Sequence, residues 1–323
     1  MELRHLRYFV TVAECGSVSR AAGKLFIAQP PLSAQIRQLE EELGVELLVR
    51  LPRGVRLTPA GESFLTDARA ILARTQQATS RARERQSGRR SVLRVGLMPS
   101  TTRTLLPGLI QRLQDSGLSV DIEAREIMPS ARQLQALRNA EIDLGFIRPG
   151  PARLPDEAVA WIDDPYCLAV PADHPLASHA APLTLQSAAH ASFVSFSRHQ
   201  ESDYFDQTSA LCLEAGFQPR IRHEAGQFAG VLTMVGCGLG VAIVPTSCAA
   251  LAPANVVLRP LAGTQQRSRL VMIGNHTTRP DDWEQTILKT AAAELEALAK
   301  KQDLPFNRPE IDLFQAKSPA TAD

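Results

Sequence analysis

Residues 16–58, GSVSRAAGKLFIAQPPLSAQIRQLEEELGVELLVRLPRGVRLT, hold two short helices, a tight connection and a two-stranded wing. Within them, Leu32, Ile36, Leu39 and Leu43 recur at alternating four- and three-residue spacings, which puts them on one helical face. Ser33, Gln35, Arg37 and Gln38 project elsewhere; they are short or planar hydrogen-bonding side chains of the kind that read base edges or hold phosphates. Pro30 and Pro31 suit a first helical turn, where a missing N–H costs nothing. Gly44 stands where a left-handed residue ends a helix.

Upstream, Ser17 is expected to cap a helix whose Ala21 and Ala22 allow close approach of a neighbour. Leu3 to about Ala13 forms a further helix with Leu3, Leu6, Phe9, Val10 and Ala13 inward. Glu46–Val49 and Val55–Leu57 pair as a hairpin around Pro52-Arg53-Gly54, and Arg50, Arg53 and Arg56 make that wing basic.

Residues 1–62, MELRHLRYFVTVAECGSVSRAAGKLFIAQPPLSAQIRQLEEELGVELLVRLPRGVRLTPAGE, resemble the DNA-binding domain of the LysR-type transcriptional regulators, and the likeness extends more loosely to about residue 299. The resemblance implies a second motif helix in the major groove and a wing near the minor groove. It implies DNA contacts from Gln29, Pro30, Ser33 and Arg37, and from Arg53 of the wing; Ser17, Ala34 and Gln38 complete the candidate DNA-binding set. Ala34 stands where many members carry a long basic side chain, so a contact is missing there. Ala28 stands where a serine commonly caps the recognition helix, and that cap, typically worth ~1 kcal/mol, must come from elsewhere or be absent.

The charge distribution agrees with a head that touches phosphate. Residues 1–93 carry 15 Lys/Arg against 9 Asp/Glu, and the remainder 20 against 25, although the whole chain is only +1. At 323 residues, 44% hydrophobic and 21% charged, the chain suits two or three globular domains. No apolar run approaches the ~20 residues that span a bilayer. The first residues interleave charge with apolar positions and lack a cleavage site for secretion, so a cytoplasmic protein is expected. Five scattered cysteines without a C-x-x-C pair point to reduced, mostly buried thiols.

Thr58-Pro59 starts a long helix reaching about Arg85. Phe64, Ala68, Ile71 or Leu72, Thr75, Ala78 and Ala82 form a narrow stripe on it. Such a stripe seeks a partner helix, most simply the same helix of a second chain; packing against its own chain is the other possibility. The resemblance makes this segment the linker and dimer interface, and implies a homodimer or homotetramer on an interrupted palindrome in double-stranded DNA, with RNA polymerase as a partner if the protein activates.

From Leu93 onward, strands alternate with helices, which implies α/β lobes. The organisation read from the sequence is a winged helix-turn-helix (1–58), a linker helix and hinge (59–90), lobe I (91–164 with 269–300), lobe II (165–268) and a loosely attached tail (301–323). The resemblance gives the two lobes a periplasmic-binding-protein-like architecture with an effector between them. Ligands in such sheets collect at the carboxyl ends of strands. Ser100, Thr101 and Thr102 follow the first strand, Ser130 the second, and Arg148 the strand DLGFI, a guanidinium able to pair bidentately with a carboxylate. Phe196 and Phe228 are expected to supply an apolar wall. The expected ligand is therefore a small organic or aromatic acid.

Catalytic patterns are missing. Gly236-x-Gly238-x-Gly240 lacks dinucleotide-binding spacing and precedes its strand, and no G-x-S-x-G, P-loop or H-E-x-x-H occurs. His199-Gln200-Glu201 lacks the P-C-x-x-C of a zinc deaminase. No enzyme, cofactor or metal site is expected. A free-standing solute-binding protein with the same two lobes is the alternative, though it would not need a basic helix-turn-helix.

Overall fold

The computed structural model describes residues 1–51, 54–87, 91–118, 120–150, 153–178, 183–198, 202–274 and 282–309. These form two compact units, Met1–Ser91 with Arg138–Glu141, and Val92–Leu137 with Ile142 onward.

In the first unit, α1 (Leu3–Cys15), α2 (Val18–Leu25) and α3 (Gln29–Leu43) enclose Leu6, Phe9, Leu32 and Leu39, all nearly or fully buried. Ser17 caps α2, accepting the Arg20 amide at 3.4 Å. Ala28 offers α3 no side-chain cap, and the helix closes at Gly44 in the left-handed conformation (φ 69°). β1 (Leu48–Leu51) and β2 (Gly54–Leu57) pair antiparallel with Val49 opposite Arg56. Glu40 ties α3 to this wing: its Oε1 accepts the Leu47 and Leu48 amides at 2.9 and 3.0 Å. Thr58 then caps α4 (Pro59–Ser87) by accepting the Gly61 amide at 2.9 Å.

Of the two partners open to the α4 stripe, its own chain takes the first part. Ala68 is fully buried in the helix-turn-helix core, Phe64 and Leu72 pack against that core, and the Phe64 ring lies 5.4 Å from Phe9. Apolar residues of α1 satisfy Phe64 and Ala68, whereas Ile71 stays exposed.

The second unit contains β3 (Ser91–Leu97), α5 (Pro99–Thr104), α6 (Leu106–Asp115), β4 (Val120–Glu126), α7 (Ser130–Arg138), β5 (Leu144–Ile147) and β6 (Ala158–Pro171). It continues through β7 (Ser192–Phe196), α8 (Ser202–Glu214), β8 (Arg220–Ala225), α9 (Phe228–Gly236) and β9 (Ala242–Pro245). β10 (Val256–Pro260), β11 (Arg267–Gly274), α10 (Asp282–Lys301) and β12 (Phe306–Asn307) complete it. The large sheet runs β10-β6-β11-β5-β3-β4, with β9 and β12 also on β6. β3 and β5 are parallel, whereas β11 is antiparallel to both β5 and β6. β7 and β8 form a separate parallel pair.

Sequence reading placed a break near Asp163-Asp164-Pro165, yet β6 runs through it. Its first half pairs with β11 and its second with β9 and β10, so one strand serves two hydrophobic clusters. The loosely attached tail is corrected over its described part. The Leu304 amide donates to Ala299 O at 2.9 Å, Phe306 pairs with Ile162, and Asn307 Nδ2 donates to Asp163 Oδ2 at 2.9 Å. Residues 310–323 lie outside the described residues.

Of the five free cysteines, Cys167, Cys212 and Cys248 are buried, Cys15 is half-buried and Cys237 is exposed. Burial raises the Cys212 thiol to about 12, and raises Cys248 to about 12 despite the opposing pull of Arg148. At pH 8 their thiolate fraction, and hence alkylation rate, falls about a thousandfold below that of an open thiol. Iodoacetamide followed by peptide mass analysis is expected to modify Cys237 first, and Cys167, Cys212 and Cys248 only after unfolding.

Candidate functional site: an exposed recognition helix and a ligand cleft

On α3 the apolar face is buried and the opposite one faces outward. Gln29, Pro30, Ala34, Arg37 and Gln38 are exposed and Ser33 is half-buried. Gln35 Nε2 donates to Gln38 Oε1 at 3.1 Å, which orients the polar row. Arg50 and Arg56 are exposed on the wing, while Arg53 lies outside the described residues. Ser17 is half-buried and engaged as the α2 cap, so its hydroxyl is committed to the fold as well as lying at the motif's edge.

Within the second unit, a cleft enclosing about 510 Å³, open solvent included, brings together Ser100, Ser130, Arg148, Phe196 and Phe228. Their elements explain the convergence. Ser100 lies in the first turn of α5 after β3, Ser130 starts α7, Arg148 follows β5, Phe196 ends β7 and Phe228 starts α9. The side chain of Gln133 locks two of these elements together while fully buried. It accepts the Phe146 amide and donates to Ile127 O, both at 3.1 Å. Gly96 and Gly145 make room for it, since a Cβ on either would sit 2.9 Å from Gln133 Oε1.

Thr101 and Thr102 do not join the lining. Both hydroxyls donate to Met98 O, at 3.0 and 3.1 Å, and Thr101 Oγ1 also accepts the Met98 amide. They serve the α5 turn instead of a ligand.

Tyr204, Gln207, Gln227 and Ser268 line the cleft without having been singled out by sequence reading. Tyr204, Phe196 and Phe228 form one aromatic wall, with ring centroids 4.6–5.0 Å apart. Burial holds the Tyr204 phenol well above its usual range, and its OH donates to Ile243 O at 3.0 Å. Gln207 Oε1 accepts the OH of Tyr166, whose pKa burial pushes to about 12.

Arg148 is buried in a network, which changes what it can do. Nη1 donates to Ser268 Oγ at 2.8 Å, and Nη2 to Asp164 Oδ2 at 2.9 Å and Ser247 Oγ at 2.5 Å. Asp164 is fully buried, and its Oδ1 accepts the Ser247 amide at 3.0 Å. Desolvation is the largest influence and acts to lower the Arg148 pKa, but Asp164, Cys248 and Tyr204 together outweigh it and the net shift is upward. The guanidinium also lies 5.8 Å from the Phe228 centroid. Both Nη2 hydrogens are engaged, so the bidentate carboxylate clamp expected from the sequence is blocked; Nε is buried without a partner. Among the described residues no His/Cys/Asp/Glu group could hold a metal ion, and no helix is long and apolar enough to cross a membrane.

Comparison with known proteins follows the same division. Residues 3–62 match the bacterial regulatory helix-turn-helix protein family of lysR type, and residues 86–291 match the LysR substrate binding domain. The chain is 34% identical to the Hca operon transcriptional activator HcaR of Escherichia coli K12, over 94% of this chain and 98% of that one. It is 39% identical to the regulator CatR of Pseudomonas putida, over 76% of this chain and 83% of that one. Among solved structures, full-length BenM shares 28% identity with a TM-score of 0.54, covering 94% of this chain and 99% of its own.

Proposed function

Because this chain belongs to the LysR family, it is a DNA-binding transcriptional regulator with an effector-binding domain and not an enzyme, and we propose that its effector is a small aromatic or other organic acid held in the cleft of the second unit. The observation that carries this reading is the convergence on one cleft of the hydroxyls of Ser100 and Ser130, the Arg148 guanidinium and the aromatic wall. Hydroxyl donors suit an oxyanion head, and the rings suit a flat apolar body.

The exposed polar row of α3 supports the DNA side of the assignment, with Gln29, Pro30, Ser33, Arg37 and Gln38 toward the major groove and the Ala34 methyl beside them. The domain boundaries read from the sequence, with 1–58 for DNA, 59–90 as linker, and lobes of 91–164 with 269–300 and 165–268, belong to the same proposal. So do assembly through α4 into a homodimer or homotetramer, residence in the cytoplasm and, if the protein activates, contact with RNA polymerase. Effector binding shifts the population between two arrangements of the assembly on DNA.

Selection from a random duplex pool by the wild-type chain gives a probe for this assignment. On that probe, Ser33→Ala and Arg37→Ala are each expected to weaken specific binding by ~1–3 kcal/mol while the melting temperature stays unchanged. Equal affinity of both variants and wild type would remove α3 as the docking face.

A further inference from the structure

We infer that Asp164 is a specificity residue of the ligand cleft: by neutralising Arg148 it restricts the cleft to aromatic ligands with one carboxylate and excludes dicarboxylates. The inference rests on the effector assignment of the cleft made above. Among the described lining residues Arg148 alone carries a charge. Its counter-charge is Asp164, fully buried behind it at 2.9 Å and anchored by the Ser247 amide. The pair brings no net charge to the cleft.

Geometry points the same way. A carboxylate meets a guanidinium at two points either side-on, through Nε and the adjacent Nη2 hydrogen, or end-on, through both Nη groups. Each mode needs an Nη2 hydrogen, and Asp164 and Ser247 hold both. Two hydrogens stay unengaged, one on Nη1 and one on the buried Nε, and they lie on different edges of the guanidinium, so no two-point grip is left and the hydroxyls of Ser100 and Ser130 are the further donors of the lining. One carboxylate is served by such a set. Beyond it the cleft is walled by Phe196, Tyr204 and Phe228, and the Tyr204 hydroxyl is turned to Ile243 O. A second carboxylate would meet these rings and the neutral amides of Gln207 and Gln227 but no cation, which disfavours it.

The test is calorimetric titration of the full chain with benzoate, benzamide and terephthalate, repeated on Asp164→Asn. Asparagine keeps an acceptor for the Ser247 amide while removing the charge. Wild type is expected to bind benzoate at least about thirtyfold more tightly than terephthalate, and Asp164→Asn to narrow that gap by about tenfold or more. A gap unchanged in folded Asp164→Asn, or a wild-type preference for terephthalate, overturns the role of Asp164 and leaves the cleft assignment standing. Should the variant not fold, the wild-type ratio of benzoate to benzamide decides: within about tenfold supports a neutralised cleft, and beyond about a hundredfold overturns it. If the folded wild type binds none of the three, the cleft assignment falls and this inference falls with it.

Discussion

Arg148→Ala is expected to destabilise the second unit by about 3–5 kcal/mol, because it strands the fully buried carboxylate of Asp164 without its partner. The same change leaves Ser268 and Ser247 without their guanidinium donor. Loss of ligand response in this variant would therefore mix folding with recognition. Removing both charges, in Arg148→Met with Asp164→Leu, is expected to recover most of the lost stability, since apolar replacement of a buried pair is often neutral or better. Urea denaturation of the three proteins checks this. A single variant as stable as wild type would mean that water reaches Asp164 and that the pair is not buried in solution.

Glu40→Ala carries the second large effect, about 2–3 kcal/mol in the first unit, because the Leu47 and Leu48 amides lose one shared acceptor and each unmade bond costs up to that order. Glu40 is the joint between α3 and the wing, so DNA affinity should fall as well, with Arg50 and Arg56 no longer held in register with the helix. Glu40→Gln keeps the acceptor oxygen and is expected to lose roughly 1 kcal/mol, the difference between a charged and a neutral acceptor. Thermal unfolding alongside binding to the selected duplex separates the two consequences. Identical behaviour of the alanine and glutamine variants would show that an acceptor oxygen alone does not hold the joint and that the Glu40 charge is required.

The first unit was legible because its structure is written locally. The Ser17 cap, the prolines of α3, the Gly44 stop and the Leu32–Ile36–Leu39 face each depend on neighbours within a few residues. The cleft was half legible for the same reason. Ser100, Ser130, Arg148, Phe196 and Phe228 sit at the ends of elements that the hydrophobic pattern marks, and the structure gathers them around one space. What decides the chemistry of Arg148 was not legible. Asp164, Ser247 and Ser268 reach it across 16, 99 and 120 residues of sequence, through a strand that the lobe boundary at Asp164 and Pro165 divides. Acidic residues ahead of a proline read as solvent-exposed punctuation, and only the β6–β11 pairing turns Asp164 inward. Phe64 and Ala68 show the converse: the first part of a stripe periodic enough for a second chain packs against α1 of its own.

The most direct test of the cleft as an effector site is the thermal shift of the full chain with aromatic monocarboxylates, on wild type and on Phe228→Ala. At a hundred times its dissociation constant a ligand stabilises by about 2.7 kcal/mol, enough to raise the melting transition by several degrees. The predicted result is a concentration-dependent rise with benzoate or a close relative, lost in Phe228→Ala, which removes the ring beside Arg148. A wild-type transition that no such acid moves, or a shift that survives in Phe228→Ala, would contradict it.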